Sequence, residues 1–150
     1  MDEPLLVHAT AVAIGGLAVL LRGDSGSGKS DLALRLIDAG ARLVSDDQCE
    51  LRRAGDAVLV RAPEPIRGLF EIRGVGIVTL PALADIPLAL AVDLVPPDRV
   101  ERLPLGRKER FLGFDVPVIA LAPFEASAPS KLRAALRTLS APPDAGGIAN

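Results

Sequence analysis

The segment Gly23-Asp24-Ser25-Gly26-Ser27-Gly28-Lys29-Ser30 has the spacing G-x-x-x-x-G-K-S. Those residue types in that order suit a polyphosphate. Gly23, Gly26 and Gly28 let the backbone approach a ligand closely, and the free N–H groups of a following helix point at anionic oxygens. Asp24, Ser25 and Ser27 complete the loop. Lys29 is a point charge for the β/γ oxygens of a nucleotide such as ATP, and the Ser30 hydroxyl is a ligand type for Mg²⁺. A glycine-rich turn with an incidental lysine has the same letters. Here an apolar strand-like run enters and an amphipathic helix leaves, which is the context a phosphate loop requires.

Phosphoryl transfer also needs groups that hold Mg²⁺ and, in a kinase, a group that accepts the proton of the acceptor hydroxyl. Asp46 and Asp47 follow the short apolar strand Leu43-Val44. A parallel crossover from the phosphate-loop strand would set that strand's C-terminal end beside the loop. Adjacent carboxylates leave a strand end in different directions, so one can face the metal and the other the acceptor. The plain alternative is an Asp-Asp turn. Glu71 lies between Phe70 and Ile72. A charge within an apolar stretch calls for a metal or for a salt bridge, here with Arg67 or Arg73.

His8 is the only histidine. It is expected on a strand beside the one feeding the loop, either as a satisfied core residue or as part of the site. The single cysteine, Cys49, lacks a His or Cys partner at metal-ligand spacing and reads as a buried hydrophobe. Asp24 and Asp31 flank the loop, one as a turn cap and the other as a favourable charge at the helix start.

The elements that must position these groups follow from pattern. Leu5–Ile14 and Leu17–Leu21, joined by Gly15-Gly16, read as a β-hairpin. Leu32, Leu36 and Ala39 share one face of a helix over Lys29–Ala39, which Gly40 ends. Strands are expected at Arg42–Val44, Leu88–Val95 and Val116–Ala122, and a hairpin at Glu50–Arg53 and Ala57–Arg61. A helix is expected at Pro129–Leu139. Gly68, Gly74 and Gly76 mark backbone that bends around Phe70–Ile77. Arg99, Arg102, Arg107, Lys108 and Arg110 crowd one segment, expected to be a mobile loop beside the acceptor site. The single domain is expected over residues 1–140, with a disordered tail over 141–150.

Composition narrows the function classes. The chain has 150 residues, 49 % of them apolar and 24 % charged, which excludes a disordered chain. One cysteine excludes an internal disulfide framework. A net charge of −2, no Tyr or Trp and only four Phe argue against a nucleic-acid surface. Apolar runs fall short of the ~20 residues of a membrane span, and the acidic start Met1-Asp2-Glu3-Pro4 is unlike a signal peptide. A cytoplasmic protein is expected.

Together these residues resemble the catalytic domain of the bacterial HPr kinase/phosphorylase family. The resemblance rests on five features in order: His8, the loop GDSGSGKS, Gly40 with Asp46-Asp47, the segment FEIRGVGI at Phe70–Ile77, and Asp98-Arg99-Val100. It implies a phosphate-loop α/β domain like that of phosphoenolpyruvate carboxykinase. It further implies that Gly23–Ser30 hold ATP, that Ser30 and Glu71 bind Mg²⁺, and that the Asp46-Asp47 pair supplies the base, Asp47 being preferred. His8 and Arg99 resemble further active-site residues. The implied acceptor is a serine of HPr, a carrier protein of the phosphotransferase system, and the implied assembly is a homo-oligomer, hexameric in the family. The family usually carries an additional N-terminal domain, so the chain is expected to be a compact form found in some proteobacteria. The family's basic stretch near PVRPGR, tied to its phosphorylase activity, is replaced here by the apolar Val116–Leu121, so that activity is expected to be weak or absent. Two rival readings are a small-molecule kinase, with Arg99–Arg110 as lid, and a nucleotide-sensing regulator without turnover.

Overall fold

The computed structural model describes residues 3–103 and 105–140; the expected tail over 141–150 lies outside them. Alternation of side chains sets the architecture. In β3 (Leu17–Arg22), Val19 and Leu21 join one core while Ala18 and Leu20 join another. In β9 (Ile86–Leu94), Leu90 and Val92 take the first side and Ala91 the second. Strands buried on both faces belong at the centre of a sheet, and these two run parallel to each other there.

The expected hairpin forms: β2 (Thr10–Ile14) pairs antiparallel with β3 across Gly15-Gly16. Its first strand is shorter than the apolar run suggests. Leu5–Val7 is a separate strand, β1, which pairs with β5 (Cys49–Ala54). His8 and Ala9 lie between the two. A continuous apolar run does not disclose where a chain passes from one partner strand to another. The exposure does: Leu6 is open to solvent, whereas Thr10 to Ala13 are buried.

From β3 the chain enters the phosphate loop and then α1 (Lys29–Asp38), which buries Leu32, Ala33 and Leu36 against the sheet. Each such leucine contributes roughly 1.5–3 kcal/mol on burial. The helix ends at Ala39. Gly40 has φ 112°, its N–H bonds Ile37 O, and the Ala41 N–H bonds Leu36 O. That is a Schellman ending, which glycine at this position favours. The chain returns as β4 (Arg42–Ser45), antiparallel to β2. With β2 antiparallel to both neighbours, β3 and β4 run the same way and end at one edge of the sheet.

The main sheet runs β1-β5-β6-β9-β3-β2-β4, where β6 is Ala57–Arg61. β11 (Phe114–Leu121) runs parallel to β9, and β10 (Lys108–Phe111) pairs with β11. A separate hairpin, β7 (Leu69–Ile72) and β8 (Gly76–Thr79), packs near α1 and buries Phe70. The last helix, α2 (Ala128–Leu139), buries Leu132 and Leu136 on the same core as α1. The other face of the sheet is closed by Cys49, Leu51, Val58 and Val60 together with Phe111 and Val116.

The Arg99–Arg110 segment is more structured than expected. Arg99 ends a short 3-10 turn and residues 108–110 lie in β10. Arg107 pairs with Asp93 at 2.6 Å, and Arg110 with Asp115 at 3.6 Å. Two of its cations are thus engaged by carboxylates of the sheet.

Candidate active site

The site forms where β3 and β4 end beside the start of α1. Gly28 precedes the helix with φ 104°, a conformation that side chains rarely adopt. A Cβ there would also lie 3.0 Å from Phe124 and Pro123 side-chain atoms. A Cβ on Gly23 would lie 2.8 Å from Ser27 Cβ, so the loop closes on itself only with glycine in that place. The Ser27 N–H bonds Asp24 O at 2.9 Å. Lys29 is only 6 % exposed, and its ammonium donates to Gly23 O at 2.7 Å and Asp24 O at 3.2 Å. Those bonds satisfy a nearly buried charge and clip the two ends of the loop together.

The two adjacent aspartates have separate surroundings. Asp46 Oδ1 accepts the Ser30 hydroxyl at 2.9 Å and the Thr10 hydroxyl at 3.2 Å, while Asp46 Oδ2 accepts the Glu71 N–H at 3.0 Å. Asp47 Oδ1 faces His8 Nε2 at 2.8 Å and lies 4.0 Å from the Lys29 ammonium. The divergence has a backbone cause. Asp47 is left-handed, with φ 70°, where the chain turns from β4 into β5. Asp is among the residues that tolerate this conformation, and such positions concentrate at functional sites. The Asp47 N–H bonds Thr10 Oγ1 at 3.1 Å, and Gln48 N–H bonds Asp46 O at 2.9 Å, which hold the turn.

His8 is therefore neither buried nor on a strand. It stands in the passage between β1 and β2, half-exposed, against Asp47. Glu71 also departs from expectation. It is exposed on β7 while its neighbour Phe70 enters the core, so the apolar letters around it impose no burial. Among the described residues no salt bridge joins it to Arg67 or Arg73. It lines an open cavity of about 480 Å³ together with Ser25, Gly26, Lys29, Ser30, Asp46 and Asp47. Arg99 is not brought to that cavity: it is exposed beyond the end of β9. Thr10 escaped the reading of the sequence. It is fully buried and ties both aspartates together, and its only signal is a hydroxyl in an otherwise apolar run.

Cys49 is buried, as expected, and its thiol donates to Ala9 O at 3.2 Å. Burial, with the negative charge of Asp46 nearby, pushes the thiol up to about 12. Asp31 opens α1 and pairs with Arg35 at 2.9 Å.

Ser30, Asp46 and Glu71 offer a hydroxyl and carboxylates on one cavity wall, a hard-oxygen set that suits Mg²⁺ shared with phosphates. Among the described residues no cluster of three or more His, Cys, Asp or Glu could hold a metal by itself. Waters and phosphate oxygens would complete the shell of a cation held here.

A phosphate loop between a parallel central strand and a helix, faced by paired carboxylates, defines a P-loop α/β domain. The chain belongs to the HPr serine kinase C-terminal domain family, whose model matches residues 1–121. It is 43 % identical over 103 residues to the HPr kinase/phosphorylase of Caldanaerobacter subterraneus subsp. tengcongensis, covering 63 % of this chain and 34 % of that protein. It is 38 % identical over 133 residues to that of Lactiplantibacillus plantarum, covering 81 % of this chain and 42 % of the relative. The chain thus spans well under half the length of these curated relatives. Its fold matches the structure of the HPr(Ser) kinase/phosphatase from Coxiella burnetii with a TM-score of 0.78 and 30 % identity, over 89 % of this chain and 88 % of that one.

Proposed function

We propose that the chain is an ATP- and Mg²⁺-dependent protein-serine kinase acting on an HPr-like carrier in the cytoplasm. The observation that carries this reading is the division of labour in the Asp46-Asp47 pair. Asp46 has both oxygens engaged and accepts the Ser30 hydroxyl hydrogen bond, which leaves the Ser30 lone pairs available to a cation. A magnesium ion bound there supplies charge neutralisation at the β/γ oxygens. Asp47 is 64 % exposed and free to meet an incoming hydroxyl. It accepts the proton of the carrier serine as that oxygen bonds the γ-phosphorus and the bond to the β–γ bridging oxygen breaks, releasing ADP. His8 holds the Asp47 carboxylate in place, Lys29 and the loop N–H groups hold the β/γ oxygens, and Glu71 adds a second carboxylate at the metal.

Arg99, exposed after β9, acts on the approaching carrier rather than by direct contact with the loop. Self-assembly belongs to the same reading and is read by light scattering. The phosphorylase direction is expected to be weak: Val116–Leu121 lies in β11 as an apolar strand with no cation to hold inorganic phosphate.

The test combines purified chain, ATP, Mg²⁺ and candidate HPr proteins, with mapping of any phosphoserine. Transfer to one serine supports the proposal; ATP binding without transfer to any carrier favours a nucleotide sensor. Phosphoserine carrier incubated with Mg²⁺ and millimolar phosphate tests the reverse step. Pyrophosphate release as fast as the forward reaction contradicts the expected asymmetry.

A further inference from the structure

The chain contains four aromatic residues, all phenylalanine. Phe70 and Phe111 are buried, and Phe114 lies under the Arg53 guanidinium at 4.9 Å. Phe124 is different: it is 69 % exposed. It follows β11 and lies outside the stretch matched by the family model. Its ring edge rests on the phosphate loop, since a Cβ added to Gly28 would lie 3.0 Å from Phe124 Cζ.

The backbone on both sides of Phe124 is held in place. Arg35 on α1 donates to the carbonyl oxygens of Pro123 and, at 3.3 Å, Glu125. Arg35 is itself fixed by Asp31 at 2.9 Å. Ordering an exposed aromatic next to a phosphate loop has a conformational cost and, without a ligand, little compensating burial.

Phe124 also stands at a junction. It lines the polar cavity that holds Lys29, Ser30 and the aspartates. It lines a second cavity too, of about 550 Å³, walled mainly by Leu94, Val95, Pro96, Pro97 and Pro123. Ser25 and Gly26 are common to both. A nucleotide has the same two-part character, a polyanionic tail and a flat apolar base.

We propose that Phe124 is the base-stacking residue of the nucleotide site, with the purine lying on its ring at the mouth of the apolar cavity. This rests on the phosphate-loop reading above. Stacking uses a π-face that every base has, so Phe124 contributes affinity and orientation without selecting adenine over guanine.

The test is calorimetric and independent of turnover. Binding of Mg-ATP and of inorganic tripolyphosphate is compared in the wild-type chain, Phe124→Ala, Phe124→Trp and Lys29→Ala. Phe124→Ala is expected to weaken ATP binding roughly ten- to a hundred-fold and leave tripolyphosphate binding unchanged. Phe124→Trp is expected to retain ATP binding, and Mg-GTP to show the same loss as ATP in Phe124→Ala. Equal losses for ATP and tripolyphosphate in Phe124→Ala overturn the proposal, because they make the ring a mere prop for Gly28. Unchanged ATP binding overturns it as well. If wild-type chain binds tripolyphosphate as tightly as ATP, stacking alone is refuted; if Lys29→Ala binds both ligands like wild type, the phosphate-loop reading falls with it.

Discussion

Replacing each aspartate of the pair by asparagine separates two roles that one residue of sequence divides. At position 47 the change removes the negative charge and keeps the shape. Asparagine tolerates the left-handed backbone at least as well as aspartate, so the turn with φ 70° survives. Its side-chain oxygen or amide can still meet His8 Nε2, which is half-exposed. Thermal stability and Mg-ATP binding are therefore expected to change little. Transfer is expected to fall roughly 10²–10⁴-fold, the usual contribution of a general base. At position 46 the consequences reverse. Asp46 accepts from three donors, Ser30 Oγ, Thr10 Oγ1 and Glu71 N. Asparagine keeps one acceptor oxygen and presents its amide to another donor, so at least one bond is lost. A lost bond to a charged acceptor costs about 1.5–3 kcal/mol, and the partial exposure at Glu71 places the cost near the lower end. Asp46→Asn is expected to lower the melting temperature by a few degrees and to raise the Mg²⁺ concentration for half-maximal rate. The assay is phosphoserine formation on the carrier across a Mg²⁺ titration, with thermal unfolding measured in parallel. Asp47→Asn transferring within about three-fold of wild type would falsify its assignment as base, since loss of a general base costs at least roughly a hundred-fold. An Asp46→Asn variant with wild-type melting and Mg²⁺ dependence removes the structural argument for its role.

Lys29→Ala is expected to abolish detectable transfer while circular dichroism shows an intact fold, because the lysine hydrogen-bonds loop carbonyls and its one carboxylate neighbour, Asp47 at 4.0 Å, is largely exposed; a wild-type rate removes the loop from the mechanism. Glu71→Gln is expected to raise the Mg²⁺ requirement without altering the melting temperature, since the exposed side chain has no ion pair among the described residues; an unchanged Mg²⁺ titration excludes it as a ligand. Cys49 is expected to resist thiol reagents at pH 8 until the chain unfolds, being fully buried with its thiol pushed up to about 12. The linked pH effect has a definite sign: the folded state favours the neutral thiol, so that stability is present below the ordinary value of 9.0 and declines as pH rises toward 12. Thiol labelling of the native chain at the rate of the unfolded one, or stability that rises across that range, contradicts the burial.

The local features were legible in the letters because their causes are local. A G-x-x-x-x-G-K-S spacing, a 3.6-residue apolar repeat and a following glycine specify a loop, a helix and its end from neighbouring residues alone, and Gly23–Ser30, α1 and Gly40 appear accordingly. The same holds for the hairpin at Gly15-Gly16 and for α2, whose expected start shifts by one residue to Ala128. What needed the tertiary structure was every relation between distant segments. The letters around Glu71 look apolar, yet β7 turns Phe70 inward and Glu71 outward, because a strand alternates and only packing decides which side is the core. His8 looks like part of a strand, but β1 and β2 bond different partners and the passage between them delivers it to Asp47. The two aspartates are chemically alike in sequence; a left-handed turn and the buried Thr10 hydroxyl assign one to Ser30 and expose the other. Phe124 carries no motif at all, and its place against Gly28 follows from the end of β11 and from Arg35 on α1. Short-range steric and hydrogen-bond preferences thus determine the loop and the helices, whereas burial and pairing across tens of residues determine which side chains meet in the site.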